Sequence, residues 1–88
     1  MKKISEKAII ASTAIIHDNV EIGDYVVIKD YAVIYPNVVI KNSVEIMEGA
    51  IIGRLPKGAK ATSRKVIEEY KEVVIGENSV ISPHVVIY

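Results

Sequence analysis

Isoleucine recurs at every sixth position over the first half of this sequence and again near its end. The first series has no gap and comprises Ile4, Ile10, Ile16, Ile22, Ile28, Ile34, Ile40, Ile46 and Ile52. The second series is Ile75, Ile81 and Ile87. A six-residue period does not keep one face of an α-helix in line, because such a helix turns every ~3.6 residues. The pattern instead predicts a series of short β-strands, one in each repeat.

A second periodic position lies four residues after the isoleucines and holds small or β-branched residues. These are Ala8, Ala14, Val20, Val26, Ala32, Val38, Val44 and Ala50, then Ser79 and Val85. Because side chains alternate along a strand, Val26 and Ile28 point inward and Val27 points outward. Residues 29–31 then form a corner. The corners are rich in residues that tolerate positive φ or bond their own backbone, namely Asn19, Gly23, Asp24, Asp30, Asn37, Asn42, Gly49, Gly76 and Asn78. The sequence therefore predicts a parallel β-helix of hexapeptide repeats.

Two of the repeats carry a motif that points to a family. Residues 22–27 (IGDYVV) and 75–80 (IGENSV) resemble the hexapeptide-repeat signature of the acyltransferase superfamily. The resemblance implies an all-β fold, a left-handed parallel β-helix shaped like a triangular prism, with three hexads per coil and about four coils. We expect one domain, with β-helix coils over residues 1–53, an extruded loop over 54–72 and a continuation of the β-helix over 73–88.

The predicted loop is basic in its first half. Residues 53–65 contain no acidic residue and hold Arg54, Lys57, Lys60, Arg64 and Lys65. This segment is similar to the extruded loop of bacterial acetyltransferases that act on sugars of surface polysaccharides. We expect Arg54, Lys57 and Arg64 to bind an anionic ligand, such as the phosphates of coenzyme A or of a nucleotide-linked sugar. The alternative is a solvated charge run that only clasps a neighbouring subunit. Residues 65–71 favour one or two helical turns.

Sorting the repeats three to a coil places the outward-facing residues in three columns. The first holds Glu21, Val39 and Val74; the second Ile9, Val27, Glu45 and Val80; the third Ile15, Val33, Ile51 and Val86. Only the third column is wholly apolar, which is typical of a subunit interface. The alternative is that β-branched residues occupy exposed strands through propensity alone. Since the superfamily usually assembles as trimers packed side by side, the resemblance implies a homotrimer through the third face.

Histidine is the general base that the resemblance implies, because its near-neutral pKa suits deprotonation of an attacking amine or hydroxyl. The chain offers His84, in a corner of the last coil, and His17, in the first coil and far along the prism from the loop. We expect His84 to be the catalytic candidate; an exposed structural role is the alternative for both. Two histidines cannot supply a three-histidine zinc site, so no metal is expected.

Composition narrows the range of expected binding partners and cellular locations. Lys plus Arg and Asp plus Glu both total 11, so the net charge is zero and neither nucleic acid nor an anionic membrane is the expected partner. There is no cysteine, which excludes disulfides and thiolate catalysis. No apolar run is long enough for a signal peptide or a membrane span, and a cytoplasmic location is expected.

The last coil ends at Tyr88 without a capping segment, so we expect either part of a longer enzyme or one subunit that a second chain continues. Three functions follow. The first is the N-terminal part, or one subunit, of an acyltransferase that uses acetyl-CoA or another acyl-CoA to modify an amino or hydroxyl group of a sugar, and we expect that sugar to be nucleotide-linked. The second is a non-catalytic trimeric module that docks a second subunit. The third is a repeat surface that binds ice or another flat array. The absence of a threonine ladder on any face argues against this third function. The acceptor, the acyl group and the acylated atom are not fixed by the repeats.

Overall fold

The computed structural model describes residues 2–54 and 72–88. In these two segments all regular secondary structure is β-strand. Each strand is two or three residues long, because a corner follows every isoleucine. In chain order the strands are β1 (Lys3–Ile4), β2 (Ile9–Ile10), β3 (Ile15–Ile16), β4 (Glu21–Ile22), β5 (Val27–Ile28), β6 (Val33–Ile34), β7 (Val38–Ile40), β8 (Glu45–Ile46), β9 (Ile51–Ile52), β10 (Val73–Ile75), β11 (Val80–Ile81) and β12 (Val86–Ile87).

The strands form three parallel sheets of four. The first sheet contains β1, β4, β7 and β10; the second contains β2, β5, β8 and β11; the third contains β3, β6, β9 and β12. Each strand thus pairs with the strand three positions further along the chain, and isoleucine lies opposite isoleucine in every pair. The predicted all-β architecture of parallel strands is confirmed, and the three stacked sheets are consistent with a β-helix prism.

Main-chain hydrogen bonds join each repeat to the repeat three positions on. The N–H of Ile9 donates to the carbonyl of Val26 over 2.8 Å, and that of Val27 donates to the carbonyl of Val44 over 2.9 Å. The same spacing continues across the first and third sheets. Strands this short are therefore stabilised by neighbours above and below rather than along the chain.

The core consists of the two inward columns that the period predicts. Its buried members are Val20, Ile22, Val26, Ile28, Ala32, Ile34, Val38, Ile40, Val44, Ile46, Ala50, Ile52 and Ile75. No buried side chain in the described residues is polar or charged. Burial decreases at the first and last strands, where Ile4 is 41% exposed and Ile87 is partly buried.

The corners repeat one backbone conformation. The third residue after an isoleucine has positive φ at Asn19, Tyr25, Tyr31, Asn37, Ser43, Gly49, Asn78 and His84. Asparagine and glycine suit this conformation, whereas a bulky L-residue adopts it at a cost of roughly 1–2 kcal/mol. The expected corner glycines divide into two kinds, because Gly49 has positive φ and Gly23 and Gly76 do not. Gly23 instead allows a close approach, since an added Cβ there would lie 2.3 Å from Oδ1 of Asn42.

The chain resumes the repeat in register after the interruption. Strand β9 ends at Ile52 and β10 begins at Val73, where Val73 lies opposite Val38 in the first sheet. The segment expected to form the loop thus joins the third sheet to the first, as an ordinary corner does. The predicted helical turns of residues 65–71 lie outside the described residues.

Substituting Ile28 by Asp should unfold the chain. Ile28 is only 1% exposed, so the substitution would place an unpaired carboxylate among aliphatic side chains, at a cost of roughly 4 kcal/mol or more. Val27→Lys is the matched control, because the adjacent residue faces outward opposite Glu45. Circular dichroism with urea titration should show loss of structure in the first variant alone. A folded Ile28→Asp protein would contradict the inward register.

Candidate functional site

Three edges separate the sheets, and their corners carry the polar side chains. We call the edge between the third and first sheets the loop edge, the edge between the second and third the His84 edge, and the edge between the first and second the Asp24 edge. The loop edge comprises residues 17–19, 35–37 and 53–54; the His84 edge 11–13, 29–31, 47–49 and 82–84; the Asp24 edge 5–7, 23–25, 41–43 and 76–78.

An aromatic stack lies on the loop edge. The rings of His17 and Tyr35 are 4.9 Å apart between centroids and inclined by 9°. They meet because 18 residues, three complete repeats, separate them and put both at the first position of their corners. The next residue in this column is Gly53, which immediately precedes the predicted loop. His17 thus lies on the same edge as the start of the loop. It follows β3, and the loop follows β9, which is two strands away in the third sheet.

A cleft of about 370 Å³ lies on the first sheet beside the loop edge. It is lined by Lys3, Asn19, Glu21, Asn37, Val39 and Glu72. Lys3, Glu21 and Val39 form the outward column of the sheet, since they lie opposite one another in β1, β4 and β7. Ammonium, carboxylate and amide groups together both donate and accept hydrogen bonds, which suits a ligand with many hydroxyl groups. We call this cleft the polar groove.

A second, more open cleft of about 440 Å³ continues over the first sheet toward the Asp24 edge. Its polar groups bond to one another. The Ser5 hydroxyl donates to the Asp24 carboxylate, and the Asp24 N–H donates to Oδ1 of Asn42 over 2.9 Å. These bonds hold successive corners together, so this cleft is chiefly a structural region.

His84 lies on a different edge from the polar groove. It is exposed, has a φ of 61°, and its N–H donates to the carbonyl of Glu48 over 3.1 Å. Its imidazole covers Gly49, where an added Cβ would be 2.5 Å from Nδ1. Within one copy, the third sheet separates the predicted general base from the groove.

The predicted anion-binding residues are only partly described. Arg54 is half-buried at the start of the loop, and its N–H donates to the carbonyl of Ile87 over 3.1 Å. Lys57 and Arg64 lie outside the described residues. The structure therefore places Arg54 on the edge that borders the polar groove, although not in its lining, and His84 on another edge.

Several residues of the polar groove were missed by the sequence analysis. Lys3 was left out of the first outward column, and Asn19 and Asn37 were interpreted as corner residues only. The sequence did hold a signal for these residues, because the 18-residue spacing of three repeats relates Lys3 to Glu21 and Asn19 to Asn37. What the period does not indicate is which of the three faces is concave and polar enough to hold a ligand.

The third outward column is formed as predicted. Ile15, Val33, Ile51 and Val86 lie opposite one another in β3, β6, β9 and β12. Ile15 is 54% exposed and Val86 is 36% exposed. This face therefore presents a continuous row of aliphatic side chains to solvent.

The described residues hold neither a metal-binding cluster nor a membrane-spanning helix. Among the described residues, no group of three or more His, Cys, Asp or Glu side chains is placed to hold a metal ion. No helix in the same residues is long and apolar enough to cross a membrane.

No protein-family model, curated protein or solved structure matches this chain.

Gly49→Ala should destabilise the protein and displace His84. The new methyl group would overlap the imidazole, and φ of +74° at this position disfavours a side chain, so we expect a loss of roughly 1–3 kcal/mol. Gly76→Ala is the control, because no atom lies within 4 Å of its added Cβ and its φ is not positive. Urea denaturation measures both, and the His84 NMR signals report the displacement. Equal stability of the two variants would contradict the packing of His84 on Gly49.

Proposed function

We propose that this chain is part of an acyl-CoA-dependent acyltransferase that modifies an amino or hydroxyl group of a sugar. The observation that carries the proposal is that a basic loop begins at the edge of a polar groove on a rigid stack of sheets. Long loops on rigid scaffolds usually bind or react with a ligand. The proposal includes a left-handed helix of about four coils, as the resemblance of the repeats to the hexapeptide acyltransferases implies.

The polar groove is proposed to hold the sugar. Its carboxylate, amide and ammonium groups match the hydroxyl groups of a sugar in kind, because they include both hydrogen-bond donors and acceptors. The cations of the loop, Arg54, Lys57 and Arg64, are proposed to bind the phosphates of the acyl-CoA or of a nucleotide-linked acceptor.

The proposed reaction needs one proton acceptor. A general base removes the proton from the attacking amine or hydroxyl as that atom bonds to the thioester carbonyl carbon. The carbon–sulfur bond then breaks, and the coenzyme A sulfur leaves as the thiol after taking up a proton. His84 is the proposed base. Its place on the His84 edge requires that the reacting groups come from two copies of the chain.

The second candidate function is a non-catalytic trimeric module. The observation that favours it is the aliphatic row on the third sheet, which is the face expected to join subunits and carries no reactive group. Both functions include the homotrimer, so they differ only in whether the groove and the loop handle a substrate.

Replacing Arg54, Lys57 and Arg64 together by Gln should reduce acyl transfer at least tenfold and leave assembly unchanged. Exposed charges contribute little to stability, whereas each charge-assisted bond to phosphate contributes roughly 1.5–3 kcal/mol. Turnover of acetyl-CoA on a panel of nucleotide-linked sugars measures the first effect and light scattering the second. Replacing Lys2, Lys7 and Lys41 by Gln removes the same charge away from the polar groove and is the control. Equal activity of both variants would contradict the role of the loop cations, whereas no turnover by the wild-type assembly would favour the non-catalytic module.

Val33→Glu combined with Ile51→Glu should convert the trimer to monomers. Two adjacent carboxylates in an apolar interface would be buried without partners, at a cost of several kcal/mol. Light scattering gives the mass, and Ile9→Glu with Val74→Glu is the control because both residues lie on the other sheets and are exposed. A trimer that survives the first pair would place the interface elsewhere.

A further inference from the structure

We infer that the polar groove binds an extended chain of about three linked neutral sugars, laid across the strands of the first sheet, rather than one sugar alone. This binding mode rests on the proposed function only in taking the groove as the sugar site. It deepens that function, because it assigns the acceptor to the oligosaccharides and gives the direction in which the chain lies.

The groove runs across the four strands of the first sheet. Lys3, Glu21 and Val39 belong to β1, β4 and β7, which lie side by side in this order. Glu72 directly precedes β10, the fourth strand. Since neighbouring strands are about 4.8 Å apart, three spacings give the groove a length of roughly 14 Å. Its long direction is therefore the direction in which the strands stack.

Hydrogen-bonding groups recur along this direction from strand to strand. Asn19 and Asn37 are 18 residues apart and occupy the same corner position. Glu72 takes this position before β10, because Val73 lies opposite Val38 in the first sheet. The N–H of Asn37 donates to the carbonyl of Asn19 over 2.9 Å, and that of Val73 donates to the carbonyl of Asn37 over 3.0 Å, so the column is fixed. The strand spacing is close to the length of one sugar unit in an extended chain, and successive sugars therefore meet successive polar groups.

The chemistry of the lining favours a neutral chain. Among the residues that the structure describes, the lining has two carboxylates, those of Glu21 and Glu72, against one ammonium group, that of Lys3. Arg54 lies on the bordering edge and outside this lining. A nucleic acid or an acidic glycan is therefore disfavoured by charge. Val39, the one apolar residue of the described lining, gives a hydrocarbon chain little to pack on.

A peptide is disfavoured by the position of the groove on a sheet face. Peptides bind sheets chiefly by adding a strand at an open edge, where main-chain groups lack partners. In the first sheet the main-chain groups bond between strands, as where the N–H of Gly23 donates to the carbonyl of Ile40 over 2.9 Å. The face thus offers side chains, and hydroxyl groups both donate to carboxylates and amides and accept from ammonium groups and amides. These are the groups that a glycan presents.

Binding as a function of chain length tests the inference. The probes are β-1,4-linked oligosaccharides of glucose and of N-acetylglucosamine, from one unit to five, titrated into the full chain by calorimetry. We expect the affinity to rise about tenfold or more from one unit to three and to level off beyond three, because a longer chain passes the ends of the groove. The α-1,4-linked glucose chain of three units is curved, so it should bind more weakly than the straight one.

Lys3→Ala should weaken binding of the three-unit chain about fivefold and leave the single sugar unaffected, because Lys3 lies on the strand farthest from β10. Lys7→Ala is the matched control, since Lys7 is exposed and lies outside the groove lining. Equal affinity for one and three units, no binding by either series, or an unchanged Lys3→Ala variant would overturn the inference. Acyl transfer to single nucleotide-linked sugars by the same protein would then leave the proposed function standing. Length-dependent binding without any acyl transfer would instead overturn the proposed function and support the groove as a glycan site.

Discussion

The isoleucine column inside the three sheets is the contact on which the rest of the structure depends. Strands of two or three residues have too few hydrogen bonds to be stable alone. They persist because each one places an isoleucine against the isoleucines of the strands above and below, and Ile28, Ile34, Ile40, Ile46 and Ile52 are almost completely buried as a result. A shift by one residue would exchange the inward and outward columns, so this packing also fixes the register.

The same packing explains why the fold tolerates strained corners and a long interruption of the repeat. Tyr25, Tyr31 and His84 adopt positive φ although their side chains are bulky and exposed. Strands packed on both sides of each corner over-determine its conformation, so the local strain is offset by the core. The long connection between Ile52 and Val73 is tolerated for a related reason, because the strand after it regains the same core position and the same partner.

Because the core of this stack is aliphatic, its polar and reactive side chains lie at the edges and in the outward columns. On the first sheet these positions form a polar groove next to the start of the basic loop. On the third sheet they form an aliphatic row, which suits assembly rather than catalysis. Because every edge has a fixed place relative to every face, His84 and the polar groove are held apart within one copy, with the third sheet between them.

The six-residue period by itself determined the strands and their inward columns, because it acts locally and recurs in every repeat. The assignment of outward residues to three faces came from the resemblance, which implied three hexads per coil. The resemblance, together with residue type, indicated Arg54 and His84 as candidates. Only the tertiary structure decided that His17 stacks on Tyr35 beside the start of the loop, that His84 covers Gly49 on another edge, and that the first sheet holds the polar groove. Those facts depend on the shape and packing of corners stacked 18 residues apart, and a period gives the alignment of such corners but not the contacts between their side chains.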